Sequence, residues 1–204
     1  MGSRMHRLLY VRASIFGGDG RSSQLAEVLL GRYRSLHADA RVVVRDVQSP
    51  PLPHLDAATF ATFAKPIAAL TADDRARLRL SDELIGELES ADDLLIGMPM
   101  YNFGVPSAFK AWIDHVTRVN RTFKAGPQGS EGQLRNIRHC WIVAARGGRY
   151  AETPRENQVP YLTTMLGFLG IAAPHFVFAE SMLRPDLRDA SLDDARRAIE
   201  QLEL

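Results

Sequence analysis

Short apolar runs alternate with amphipathic stretches along most of this chain. Runs at 8–13, 40–46, 93–97, 140–145 and 174–180 are rich in Leu, Ile, Val and Phe and read as strands. The run at 93–97, Asp93-Leu94-Leu95-Ile96-Gly97, has the continuous apolar character of a central strand buried on both faces. Helical spacing separates the strands. Ser22 and Ser23 stand where an N-cap belongs, ahead of the apolar stretch 25–30. A short helix is expected over 57–63. Thr71 reads as an N-cap with Asp73 and Asp74 in the favoured first turn. The helix it opens runs to about Glu89, either continuous or broken near Leu80-Ser81. Further helices are expected over 107–119, over 153–169 with Pro160 kinking or dividing it, and over 192–202. Residues 48–53 hold three prolines and must leave regular structure. The glycine-rich stretch 126–132 reads as a mobile loop. Strands and helices in alternation predict an α/β fold. The expected architecture is one doubly wound, five-stranded parallel sheet with helices on both faces, in a single domain over 1–204.

Composition narrows the partners. The chain has 204 residues, 46% hydrophobic and 24% charged, with a formal net charge of +1. That near-neutral balance without charge blocks argues against nucleic acid or an anionic membrane. No apolar stretch approaches the ~20 residues of a membrane span. The segment from Met1 to Arg4 is an added leader or a late start, and the cytoplasm is the expected location. Cys140 is the only cysteine, so no intrachain disulfide forms. It lies in an apolar run and is expected to be buried.

In open parallel sheets, ligands sit beyond the carboxyl ends of the strands where strand order reverses. Three loops leave such ends. The first runs from Ser14 to Gln24 and includes Gly17, Gly18, Gly20, Arg21 and Ser22. Its glycines and the helix start behind them suit a phosphate, with Ser14 and Ser22 as hydroxyl donors and Arg21 as a cation. Alone it reads equally as a turn with an ordinary cap. It is neither a dinucleotide fingerprint, which needs a third glycine, nor a Walker A loop. The second loop, Pro99-Met100-Tyr101-Asn102-Phe103-Gly104-Val105-Pro106-Ser107, offers apolar faces and a polar edge to a flat heteroaromatic ring. The other reading is a hydrophobic turn tucked into the core, and Ser107 caps the next helix in either case. The third, Ala145-Arg146-Gly147-Gly148-Arg149-Tyr150, allows backbone N–H groups close to a ligand, or is a plain Gly-Gly turn.

Other chemistry finds no support. The six histidines lack metal-ligand spacing, and no metal site is expected. Asp114-His115 is read as solvated or capping, and the pairs Asp73-Asp74, Asp92-Asp93 and Asp193-Asp194 as helix starts or solvated ends. No Gly-x-Ser-x-Gly elbow is present.

The block Met98-Pro99-Met100-Tyr101-Asn102-Phe103 resembles the signature of the FMN-dependent NADH azoreductases, a family once labelled acyl carrier protein phosphodiesterases. The resemblance also rests on Leu80 to Ile85, Ala145-Arg146-Gly147-Gly148, Pro160-Tyr161-Leu162 with Leu166-Gly167-Phe168, and Phe176 to Glu180. It covers nearly the whole chain. It implies a flavodoxin-like strand order and a homodimer with one non-covalent FMN per subunit at the dimer interface. By position, Ser14, Gly20, Arg21 and Ser22 hold the phosphate. Met100, Tyr101, Asn102 and Phe103 line the isoalloxazine, and Ala145, Arg146, Gly147 and Gly148 complete its other edge. Two positions depart from the family. Its Ser-Gln-Ser phosphate loop reads Gly20-Arg21-Ser22 here, so a hydroxyl is lost and a cation gained. Ala145 stands where many members carry Ser.

The reaction this implies is ping-pong transfer of two electrons. NADH or NADPH delivers hydride to the flavin and leaves, and an aromatic acceptor takes its place. Quinones are the expected physiological acceptors, and azo compounds are typical of the family's assays. Hydride transfer needs no protein nucleophile, and no side chain is assigned as a catalytic acid. The alternatives are phosphodiester hydrolysis and a flavin-binding electron carrier or redox sensor without turnover. Carriers of this fold are usually strongly acidic, unlike this chain.

Overall fold

A computed structural model of the protein describes residues 5–171 and 173–204. Met1 to Arg4 lie outside them. The strands are β1 (Arg7–Arg12), β2 (Arg41–Asp46), β3 (Asp93–Pro99), β6 (His139–Ala145) and β7 (His175–Ala179), and they form one parallel sheet in the order β2-β1-β3-β6-β7. Strand order reverses at β1, which pairs with β2 on one side and β3 on the other. That reversal opens the crevice at the carboxyl end of the sheet.

Alternation along the strands builds two cores. Leu9, Val11, Leu94, Ile96 and Ile142 face one side, and Leu8, Tyr10, Leu95, Trp141 and Val143 face the other. The first face is covered by α3 (Ala72–Ser90), α4 (Ser107–Val116) and α5 (Gln158–Leu169), through residues such as Leu84, Leu88, Phe109, Trp112 and Leu162. The second is covered by α1 (Arg21–Leu36) and α6 (Pro185–Gln201), through Leu25, Leu29, Tyr33 and Ile199. The short helix α2 (Ala57–Phe63) lies where expected, with Asp56 as its cap.

Several expected boundaries move, each for a local reason. Gly20, not Ser22 or Ser23, is the N-cap of α1, and no side chain caps it. Helix α3 is unbroken at Leu80-Ser81, because the Ser81 hydroxyl donates to the His115 carbonyl of α4 at 2.7 Å. Helix α4 ends at Val116, and its N-cap is Pro106 with no side-chain bond from Ser107. Helix α5 starts at Gln158, so Pro160 falls in its first turn, where a missing N–H costs nothing. Helix α6 starts earlier than expected, with Pro185 in its first turn. The stretch 126–132 is no loose excursion: β4 (Phe123–Gly126) and β5 (Gly129–Gly132) form an antiparallel hairpin. It packs on α5 at Gly132, where a Cβ would sit 2.1 Å from the Gly170 backbone nitrogen.

Three acidic or basic residues read as solvated are buried. His115 is 4% exposed, with Nε2 3.0 Å from the Pro53 carbonyl. Asp92 accepts the Arg7 N–H at 3.0 Å. Asp93, at the amino end of β3, is 1% exposed and accepts from the Tyr33 hydroxyl at 2.7 Å, with His139 Nδ1 at 3.0 Å. Cys140 is buried as expected, and burial pushes its thiol pKa up. Among the described residues, no helix is long and apolar enough to cross a membrane, and no cluster of His, Cys, Asp or Glu has the make-up of a metal site.

Candidate functional site

The first loop closes on itself behind β1. Its Ser14 carbonyl accepts from the Gly17 amide at 3.0 Å, and its Ser14 hydroxyl accepts from the Phe16 amide at 3.2 Å. Gly17 takes a left-handed φ of 56° to complete the turn. The chain then passes so close to Ser14 that a Cβ on Gly20 would lie 2.1 Å from its hydroxyl oxygen. Helix α1 begins there. Gln24 N–H bonds the Gly20 carbonyl at 2.9 Å, which leaves the amides of Arg21, Ser22 and Ser23 as first-turn donors without helical acceptors. The Ser22 side chain is 1% exposed and its hydroxyl has no hydrogen-bond partner. An uncapped helix start, a buried partnerless hydroxyl and the neighbouring Arg21 cation together form an anion cradle.

The second loop continues the β3 ladder, with the Met100 amide on the Ala145 carbonyl at 3.0 Å. Tyr101 and Gly104 then exchange both backbone bonds, at 3.1 and 3.0 Å. Asn102 and Phe103 sit between them at φ values of 50° and 64°. This is the tight turn with two left-handed centres that Asn and Gly favour. For Phe103 it stores roughly 1–2 kcal/mol of backbone strain. The Tyr101 hydroxyl reaches back to the first loop, accepting the Ile15 amide at 3.3 Å and lying 3.5 Å from the Ser14 hydroxyl.

The third loop is stitched to the chain after β7. Carbonyls of Arg146, Gly147 and Gly148 accept from Met182, Leu183 and Ser181 at 3.0, 3.1 and 3.0 Å. The Arg146 side chain is fully buried beneath it, ion-paired with Glu156 and Glu180 and stacked 4.3 Å over the Phe178 ring.

These loops enclose a cleft of about 310 Å³ at the carboxyl end of the sheet. Ser14, Gly20, Arg21 and Ser22 of the first loop, Met100 and Tyr101 of the second, and Ala145, Arg146 and Gly147 of the third all line it. Nine of the twelve residues singled out from the sequence therefore converge. Asn102 instead lines an adjoining cavity of about 650 Å³ with Lys110, Asn157 and Tyr161. Phe103 and Gly148 border neither, and Phe103 meets Tyr150 edge-on at 5.6 Å. Burial raises the Tyr161 pKa to about 12, so that phenol stays protonated. Phe16, Pro99, Met182 and Leu183 also line the cleft. Sequence reasoning placed Phe16 and Pro99 in the loops without assigning them to the ligand, and it missed Met182 and Leu183. The available signal for the last two was a strand end beside the third loop. A cavity of about 300 Å³ also lies at the opposite end, between Arg7, Arg41 and Glu87. It has neither an uncapped helix start nor converging loops, which makes the carboxyl-end cleft the candidate site.

Fold and site define a flavodoxin-like α/β protein with an anion cradle opening on an apolar cleft. A protein family described by its flavodoxin-like fold matches residues 6–202, and the chain belongs to that family. It is 41% identical to an FMN-dependent NADH:quinone oxidoreductase of Aromatoleum aromaticum, over 95% of this chain and 97% of that one. It is 40% identical to a protein of the same name from Paraburkholderia phymatum, over 96% and 98% of the two chains. Among solved structures, an azoreductase from Bacillus anthracis superposes with a TM-score of 0.85 at 26% identity, covering 97% of this chain and 100% of that one. The resemblance read from Met98 to Phe103 is thus matched along nearly the whole chain.

Proposed function

We propose that this protein is an FMN-dependent oxidoreductase that passes two electrons from NADH to a quinone. The observation that carries the reading is the cradle at Gly20, Arg21 and Ser22, with its buried and partnerless Ser22 hydroxyl, opening on an apolar cleft. A phosphomonoester next to a flat ring is the ligand shape that satisfies both halves. Relatives at about 40% identity bear the name of an FMN-dependent NADH:quinone oxidoreductase.

Bound there, FMN supplies two-electron hydride chemistry between a nicotinamide and an acceptor. The chain's own part is binding and orientation. Amides of the first turn of α1, with Ser14, Ser22 and Arg21, hold the phosphate by charge-assisted bonds. Met100 and Tyr101 pack one wall, and the Tyr101 hydroxyl ties that wall to the phosphate loop. The 145–147 segment borders the polar edge, while Asn102 and Phe103 shape the turn that carries Tyr101. The open side of the cleft receives donor and acceptor in turn, which makes the kinetics ping-pong, and azo compounds are a second acceptor class. Phe16, Phe103 and Leu183 stand 65, 45 and 81% exposed around the site. Such apolar surface suits a second copy of the chain, so a homodimer completes the site. The cytoplasm, where NADH is made, is the expected location.

An absorbance spectrum of the purified protein tests the reading. Flavin bands that bleach under anaerobic NADH and return on adding a quinone are the expected result. A protein that takes up no FMN and consumes no NADH would overturn it. Bleaching without steady-state quinone turnover would reassign it as an electron carrier.

A further inference from the structure

The Arg146 side chain is placed unlike any other cation in the chain's three loops. Arg146 lines the cleft, yet its side chain is fully buried. Arginine is almost never fully buried unless paired, and this one serves two carboxylates at once. Nη1 pairs with Glu156 and lies 3.4 Å from Glu180. Nε and Nη2 have no hydrogen-bond partner, and the guanidinium plane rests on Phe178.

Each carboxylate holds one support of the strained turn at Asn102-Phe103. Glu180 accepts the amides of Tyr150 and Ala151 at 2.7 and 2.9 Å. The Tyr150 ring so fixed meets Phe103 edge-on, with an interplanar angle of 78°. Glu156 accepts the amides of Gln158 and Val159 at 2.9 and 3.0 Å, and so sets the first turn of α5. Gln158 is 1% exposed, and its Nε2 donates to the Pro99 carbonyl at 2.9 Å and to the Gly104 carbonyl at 3.0 Å. Those two carbonyls flank the turn. Left-handed backbone at a non-glycine residue persists only where its surroundings over-determine it. Here both routes of restraint lead back to one guanidinium.

We propose that Arg146 is a positioning residue that holds the Tyr101–Gly104 turn in shape through Glu156–Gln158 on one side and Glu180–Tyr150 on the other. With respect to catalysis this rests on the flavin reading above, since the turn then frames the ring. Loss of the arginine leaves two partly buried carboxylates without their shared cation, frees Gln158 and Tyr150, and lets Asn102 and Phe103 relax.

The test is amide hydrogen exchange on the FMN-free full chain, comparing wild type with Arg146→Met and Gln158→Leu. Leu95 in β3 and Ile142 in β6 serve as internal standards. In Gln158→Leu, the Tyr101 and Gly104 amides exchange about 10- to 100-fold faster while Tyr150, Ala151 and the standards keep wild-type rates. In Arg146→Met, all four loop amides accelerate and the standards do not. If Arg146→Met does not fold, Glu156→Gln replaces it, since its amide still accepts from Gln158 and Val159 but no longer pairs with the arginine. In the loaded protein, the flavin bands of the same variants shift. Wild-type exchange at Tyr101 and Gly104, or equal acceleration at the loop and the standards, would overturn the assignment. A wild-type chain that binds no FMN would overturn the flavin reading alone, because the exchange result stands without it.

Discussion

Replacing Ser22 by alanine separates the stability of the empty cradle from its affinity for phosphate. The Ser22 hydroxyl is buried in the first turn of α1, beside the cleft that Ser22 lines, and has no partner among the described residues. A buried hydroxyl without a partner costs roughly 1–3 kcal/mol, so its removal should stabilise the FMN-free protein by about 1 kcal/mol. With about 2.1 cal/mol/K of unfolding entropy per residue, that raises the Tm by roughly 2 °C. In the complex the sign reverses. A hydrogen bond to a charged phosphate contributes about 2 kcal/mol, and its loss weakens FMN binding about 30-fold. Riboflavin lacks the phosphate and should bind the variant within about twofold of wild type. The assay is quenching of flavin fluorescence on titration with FMN-free protein, beside a thermal melt of the same sample. An FMN Kd within about twofold of wild type would refute the cradle, as would an equal loss of riboflavin affinity.

Other perturbations probe the frame around the site. Tyr33→Phe removes a 2.7 Å bond to the buried Asp93 carboxylate and should cost about 2 kcal/mol in denaturant melts. FMN affinity should hold, because Asp93 lies at the amino end of β3, away from the cleft. Gly132→Ala places a Cβ 2.1 Å from the Gly170 nitrogen, and since backbone gives less than side chains it should destabilise by about 1–3 kcal/mol. The Lys65 ammonium and Thr71 hold the Asp74 carboxyl down at about 2, so the folded form binds that proton less readily than the unfolded one. Its contribution at the start of α3 is therefore complete above the ordinary carboxylate range and is lost as pH falls through about 2. A carboxyl-carbon NMR titration with a midpoint near the ordinary value of about 4 would contradict this.

Periodicity located the five sheet strands, because a strand buried on both faces leaves a continuous apolar run whatever its neighbours are. Leu94-Leu95-Ile96 is such a run, and it lies at the centre of the sheet. The β4–β5 hairpin was not legible, since only Phe123 and Ala125 of its paired residues are apolar and β5 reads Gly-Ser-Glu-Gly. Its position depends on Gly132 meeting Gly170, two glycines 38 residues apart (170 − 132). Burial of charge failed for the same reason. Asp93 and His115 are buried because of Tyr33, His139 and Pro53, and no local window contains those partners.

The site divides along the same line. Ser14, Gly20, Arg21, Ser22, Met100 and Tyr101 converge because loops at the carboxyl ends of adjacent parallel strands must converge, and residue type then suggests their chemistry. Topology carries the backbone to the cleft but does not aim the side chains. Arg146 stands in a loop that borders the cleft, where a cation is easily read as a ligand group. Glu156 and Glu180 lie 10 and 34 residues further on, and together they draw its guanidinium inward. A guanidinium left unpaired in the interior would cost several kcal/mol, so it lies where the two carboxylates reach it. A short motif therefore marks where a backbone approaches a ligand, while the direction of a long charged side chain is set by the charges the fold buries beside it.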